Sequence, residues 1–161
     1  MDMRFPGFIP VTGTIQDITN MRDCCSVMVS VRVSNHETVN LVIDEDTVVV
    51  DNRRLRRGMI IRGFYDASSP VILIYPPQYQ AVAIAVLGGE NDGVTLAYFN
   101  RHLTASDNSL RLNIGRNTVV ETVNGQQYRC NPADHVLLVF YGATTRSIPP
   151  QTTPDRVIVF C

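Results

Sequence analysis

From Val27 to Val33 every second residue is a valine, with Met28, Ser30 and Arg32 between them. An extended chain turns successive side chains to opposite faces, so this run has one apolar face and one mixed face. "SNHE" at 34–37 then supplies turn chemistry. Val39, Leu41 and Ile43 resume the alternation, with Asn40 and Val42 expected outward. The pattern predicts a hairpin with one buried face. No segment carries a persuasive amphipathic helix. The nearest, 51–57, is short and ends at Gly58, so it reads as a turn or a single helical turn. Further strands are expected at 11–18, 59–65, 71–75, 80–87, 94–99, 110–114, 135–141 and 156–160, with "GGENDG" at 88–93 as the clearest turn. The expected fold class is all-β.

The alternation recurs in register. Val39, Leu41, Ile43 and Thr47 stand 71 residues before Leu110, Leu112, Ile114 and Thr118. "FY" at 64–65 returns at 140–141, "PPQ" at 76–78 returns at 149–151, and 82–84 match 157–159. Four landmarks in one order imply a small β unit built twice, with insertions confined to the connections. The expected units are 1–87 and 88–161, and strand 80–87 could both close the first and open the second. Two architectures satisfy this: two small barrels, or one pseudo-symmetric barrel of interlocked halves. A unit of this size buries only about 60% of its unfolded surface, so the halves are expected to pack tightly.

Composition narrows the chemistry. Of the 161 residues 45% are hydrophobic, which suits a core and argues against disorder. The net charge of −1 offers no global field towards nucleic acid or an anionic membrane. The chain has no lysine, so all 14 basic residues are arginines. The P-loop, the Schiff-base amine and the kinase strand lysine are thereby excluded in their usual forms. Cys24, Cys25, Cys130 and Cys161 form no C-x-x-C pair and have no histidine cluster near them. They read as reduced, partly buried thiols rather than zinc ligands. The N-terminal stretch lacks a signal-peptide pattern and no apolar run reaches membrane-spanning length, so a cytoplasmic location with no membrane is expected.

The first half runs strand, hairpin, "TVVVD", then "LRRGMIIRGFY", with Leu55, Gly58 and Gly63 as a buried leucine, a turn glycine and a kinked-strand glycine. This order resembles the oligonucleotide/oligosaccharide-binding (OB) fold, a five-stranded Greek-key barrel. The second half resembles it more loosely. The resemblance implies tandem OB-like barrels and brings no residue-level binding motif. The net charge and the absence of Trp and Lys depart from the nucleic-acid-binding members.

Candidate sites follow from residue type and spacing. His36, His102 and His135 stand beside no base or nucleophile motif, and no G-x-S-x-G is present, so they read as surface histidines. "DED" at 44–46 could ligate a hard cation, but the second half has Gly115, Arg116 and Asn117 there, and a solvated turn is the simpler reading. Neither enzymatic activity nor any cofactor or metal is expected. Arg53, Arg54, Arg56, Arg57 and Arg62 lie close in sequence, and Phe64, Tyr65, Tyr75 and Tyr79 could offer stacking faces for single-stranded nucleic acid. Asp44, Glu45, Asp46, Asp51 and Asp66 surround the same segment, so the charges are expected to pair off. The two "PPQ" motifs belong at an edge, loop or bulge, and Tyr75, Pro76, Pro77 and Tyr79 would form a rigid, partly apolar protrusion. The expected function is a non-catalytic binding or assembly module whose partner is a protein, this chain itself included. A single-stranded nucleic-acid binder using the arginine and tyrosine patch is the alternative.

Overall fold

Valine, isoleucine and threonine fill the alternating segments, and their branched side chains favour a pleated, half-buried surface. The structure, a computed structural model describing residues 5, 7–70 and 72–161, is accordingly all-β. The chain divides into two compact units, Phe8–Asn91 and Asp92–Cys161, with Phe5 belonging to the second.

The first unit contains β1 (Phe8–Asn20), β2 (Val27–Arg32), β3 (Thr38–Ile43), β4 (Val48–Val49), β5 (Ile60–Asp66) and β6 (Gln78–Leu87). β1 is long enough to serve two neighbours. Its first half pairs with β5 and its second half with β2, with a register shift between Ile15 and Asp17. β2 and β3 are antiparallel, as are β5 and β6. A parallel pairing of β3 with β6 then closes the ring, and β4 runs parallel to β6. The alternating residues converge inside it: Val29, Val31, Leu41, Ile61 and Ile84 are fully buried, with Val11 and Ile15 beside them. Gly63 lets β5 pass Leu41, since a Cβ there would stand 2.5 Å from Leu41 Cδ1. Gly58 turns the chain into β5 with φ of 88°, a conformation that glycine adopts without steric cost. Leu55 packs against the same core.

The second unit contains β7 (Gly93–Phe99), β8 (Arg111–Leu112), β9 (Val119–Thr122), β10 (His135–Tyr141), β11 (Gln151–Thr152) and β12 (Arg156–Phe160). One sheet has the order β7-β10-β12-β9, and β8 pairs with β11 separately. Phe99, Leu137, Val139 and Val157 are fully buried in its core, beside Leu110 and Leu112.

Several local arrangements occur in both units. β4 lies parallel to β6, and β9 lies parallel to β12. The Thr47 hydroxyl accepts the Asp44 N–H at 3.1 Å and donates to the Ala81 carbonyl at 2.8 Å. The Thr118 hydroxyl accepts the Gly115 N–H at 3.1 Å and donates to the Pro154 carbonyl at 2.7 Å. Asn40 N–H donates to Pro77 O and Arg111 N–H to Pro150 O, each at 2.9 Å. The Tyr75–Pro76 and Ile148–Pro149 peptide bonds are both cis.

Three local expectations are corrected. Residues 72–75 are not a strand: they form an irregular connection between β5 and β6, bracketed by Pro70 and Pro76. Val71 lies outside the described residues. The strand expected at 110–114 is reduced to Arg111–Leu112. Asn40 and Val42 are buried although they alternate with Leu41. Alternation fixes only which way a side chain points, and Asn40 stands between Ser30 of β2 and Gln78 of β6.

Candidate interaction surface

The connection from β5 to β6 carries the first unit's most exposed apolar side chains. Ile72 is 57% exposed, Leu73 94%, Ile74 49% and Tyr75 85%. Single exposed apolar residues are normal on a protein surface, but a contiguous run calls for a reason. Proline at both ends keeps the segment out of the ladder, so its side chains have no sheet face to cover. The sequence reading assigned this run to a strand and so missed Ile72, Leu73 and Ile74. The available signal was four bulky apolar residues without period-two spacing, between prolines.

Below this loop, Tyr65 of β5 and Tyr79 of β6 stack face to face, with ring centroids 3.8 Å apart and planes 3° from parallel. Both pack against the barrel core. Burial, and then the neighbouring Tyr79 phenol, push the Tyr65 phenol up to about 12. The pair stands where β5 and β6 run into this loop. Tyr75 is apart from it, on the exposed loop.

The arginines stand elsewhere. Arg53, Arg54, Arg56 and Arg57 are exposed in the connection that precedes β5. Tyr65 is near the far end of that strand, and five extended steps from Ile60 cover about 17 Å. The expected single patch is thus two separate surfaces. For Arg57 the acidic partner differs from those expected. Arg57 pairs with Asp17 at 2.7 Å, which is none of the five acids expected. Hydrogen bonding from Arg57 holds the Asp17 carboxyl below the ordinary carboxylate range. Asp44 instead accepts the Asp46 N–H, and Asp66 accepts the N–H and hydroxyl of Ser68. Short acidic side chains in turns bind their own backbone. The guanidinium groups of Arg53, Arg54 and Arg56 make no hydrogen bond or ion pair among the described residues. Arg62 is part of the frame: its Nε donates to Thr12 Oγ1 and its Nη2 to Glu90 O, both at 2.8 Å.

The remaining residues sort as follows. All four cysteines are exposed, where partial burial was expected. Cys24 and Cys25 ride the β1–β2 turn, in which Asp23 accepts the Cys25 and Ser26 N–H groups. His36 and His102 are exposed. His135 is half-buried, contrary to expectation, with Nδ1 2.8 Å from Ala133 O and its ring edge-on to Tyr128. No group of three or more His, Cys, Asp or Glu among the described residues is arranged to hold a metal ion. In the second unit an open cleft of about 470 Å³ is lined by neutral hydroxyl and amide groups, among them Asn113, Thr144, Thr145 and Gln151, with Asp155 as its one carboxylate. No described helix is long and apolar enough to cross a membrane.

No family model, curated protein or solved structure matches this chain. The functional reading therefore rests on the surfaces described above.

Proposed function

We infer that the chain is a non-catalytic binding or assembly module that docks on a protein through the β5–β6 loop of its first unit. The observation that carries the reading is the exposed run Ile72-Leu73-Ile74-Tyr75. Together these residues leave the equivalent of about three apolar side chains in water, at roughly 1.5–3 kcal/mol each if buried. Prolines at both ends restrict the backbone of this protrusion, which lowers the conformational entropy it loses on entering a partner's pocket. Tyr75 adds an aromatic anchor of the kind that dominates interface energetics.

The circuit β1-β2-β3-β6-β5, closed by a parallel pair, supports an OB-like barrel for the first unit. The repeated threonine brackets and parallel pairings support a second, reduced copy. In that reading the loop is a surface connection on a barrel, which is where binding residues concentrate.

The test is a pair of single substitutions, Leu73→Ser and Tyr75→Ser, compared with the wild type as immobilised bait. A protein retained by the wild type is purified and titrated against all three chains. The expected result is at least tenfold weaker binding for each variant. Equal binding by all three would remove the loop from the interface.

Arg53, Arg54 and Arg56, whose guanidinium groups have no partner among the described residues, favour a second reading, a single-stranded nucleic-acid site there. Fluorescence anisotropy with single-stranded DNA and RNA at about 50 and about 200 mM salt decides it, because phosphate binding weakens steeply over that range. Absence of binding at the lower salt removes this reading.

A further inference from the structure

The outer face of the second unit holds an aromatic platform. Phe99 pairs with Ala105 and both are buried in the core, so Tyr98 and Ser106 beside them point outward. Thr104 stands opposite Arg111, whose neighbours Leu110 and Leu112 are buried, so these two side chains face out as well. A cavity of about 180 Å³ opens beside Tyr98, with Thr104, Ser106 and Asn108 on its rim. Phe5 already uses the platform: its ring lies on Tyr98 with centroids 3.7 Å apart and planes 4° from parallel. Carbon atoms in contact stand about 3.5 Å apart, so the two rings have little lateral offset. Two electron-rich faces stacked squarely make a poor aromatic arrangement. Tyr98 also donates its hydroxyl hydrogen to the Asp134 carboxylate at 3.2 Å, which adds electron density to its ring. An electron-poor planar ring is the better match for this face.

The rim narrows the ligand further. Thr104, Ser106 and Asn108 carry hydroxyl and amide groups that both donate and accept, as the edge of a nucleobase requires. The Arg111 guanidinium makes no hydrogen bond or ion pair among the described residues, and Arg101 donates only to His102. The carboxylates at this end are engaged, Asp134 by Tyr98 and Asp107 by the Ser109 N–H. The free charge beside the platform is therefore positive. Two strand spacings and one two-residue step separate Tyr98 from Arg111, about 12 Å between backbones. A nucleotide's sugar and an extended arginine side chain together bridge that span. We propose that this face is a nucleotide site, in which a nucleobase stacks on Tyr98, its phosphate meets Arg111, and Phe5 is the internal occupant that the base displaces. The site is independent of the β5–β6 loop. Phe5 lies outside every strand, so its ring leaves without breaking a ladder. An aromatic pair of ordinary strength keeps the seat covered in roughly 70–90% of molecules, and apparent affinity falls by the same fraction.

NMR titration of the full chain with adenosine, AMP and an oligodeoxyadenylate of about ten nucleotides tests the proposal. AMP should shift the Tyr98 and Ser106 signals of the wild type. Phe5→Ala should bind it about three- to tenfold more tightly, because the competitor is gone. Tyr98→Ala should bind at least about fivefold more weakly, and Tyr98→Phe, which keeps the ring, close to the wild type. Arg111→Ser should weaken AMP and leave adenosine unchanged. Comparable affinities for AMP and the oligonucleotide identify a free nucleotide as the source, and markedly tighter binding of the oligonucleotide identifies a single strand; both support the site. Failure of AMP and the oligonucleotide alike to bind Phe5→Ala overturns it. So does a Phe5→Ala variant weakened as Tyr98→Ala is, which would make Phe5 a wall of the site. Binding that Tyr98→Ala and Arg111→Ser both retain lies elsewhere and also overturns it. If circular dichroism shows Tyr98→Ala unfolded, the Phe5→Ala and Arg111→Ser results decide.

Discussion

Thr47 and Thr118 offer the most direct measure of how each unit is held together. Each hydroxyl bridges two backbone groups, accepting one N–H and donating to one carbonyl across the chain. Valine has the same branched shape and no hydroxyl, so Thr47→Val and Thr118→Val remove two hydrogen bonds to the backbone apiece, and Thr47→Val also a long one to Asp44 Oδ1, with little change in packing. A net hydrogen bond contributes about 1 kcal/mol, and the half-buried backbone groups left behind regain water only in part. Each substitution should therefore cost about 2 kcal/mol. Serine retains the hydroxyl and loses a methyl, and should cost less than about 1 kcal/mol. The assay is urea unfolding followed by far-ultraviolet circular dichroism, with the slope compared across variants to verify that one transition is being measured. The two threonines share no partner, so the double valine variant should be additive within about 0.5 kcal/mol. Thermal melting adds a second reading. A 2 kcal/mol loss lowers the midpoint by roughly 8–16 °C if each unit melts alone and by roughly 4–8 °C if the chain melts as one. A valine variant costing under about 0.5 kcal/mol, or one no worse than its serine counterpart, would refute the idea that these brackets support the fold.

Three further outcomes are expected. In a tyrosinate absorbance titration Tyr65 should ionise near 12, against about 10 in an unfolded chain. Because the folded value is the raised one, the stability tied to Tyr65 is complete below pH 10 and is lost as pH climbs from 10 towards 12. Tyr79→Phe should bring that ionisation earlier, with burial still holding it above the ordinary value, and an unaltered curve would count against the stacked pair. Glu121→Gln should destabilise the second unit by about 1–3 kcal/mol in urea, because Arg156, mostly buried beside it and lying over the Phe140 ring, loses its carboxylate. A loss of the size of a surface pair, below about 0.5 kcal/mol, would show the pair to be solvated. Replacing Arg53, Arg54, Arg56 and Arg57 together by Ser should leave the circular dichroism spectrum intact and raise the Asp17 pKa towards its ordinary value, as read by carboxyl NMR; unfolding would show the arginines to be structural.

The core was legible because burial leaves a period in the sequence. Val29 and Val31 alternate with Met28, Ser30 and Arg32, none of which is buried, and end fully buried; Leu41 is fully buried too, between Asn40 and Val42, which the period marked as outward. The "TVV" and "PPQ" landmarks were legible for a related reason: Thr47 and Thr118, or Pro77 and Pro150, recur in sequence and make the same hydrogen bonds. The loop at 72–75 was not legible, because a short apolar run looks the same in a buried strand and on an exposed turn. Only the flanking prolines distinguished them. The arginine and tyrosine grouping failed on geometry. Arg57 and Tyr65 are near neighbours in sequence, but an extended strand carries them to opposite ends of the barrel. The cysteines misled through habit: cysteine is usually buried, whereas Cys24 and Cys25 sit in a turn whose backbone is tied to Asp23 and whose side chains face water.

The two "PPQ" connections carry different surfaces. In the second unit the chain before Pro149 binds itself. The Thr145 N–H donates to Gln151 O, the Gln151 N–H donates to the Thr145 hydroxyl, and that hydroxyl lies 2.6 Å from the Ser147 hydroxyl. A loop closed by its own polar groups needs nothing further, and the single exposed Ile148 in it is unexceptional. In the first unit the equivalent stretch holds Ile72, Leu73, Ile74 and Tyr75, whose side chains have no hydrogen bonds of this kind to make apart from the Tyr75 hydroxyl. Only another apolar surface can remove them from water. The threonine brackets that tie each unit involve neither loop, so the loop side chains can change without loosening the frame. On the docking reading, docking and folding are thereby separable, and substitutions at Leu73 or Tyr75 are expected to act on the first and leave the second alone.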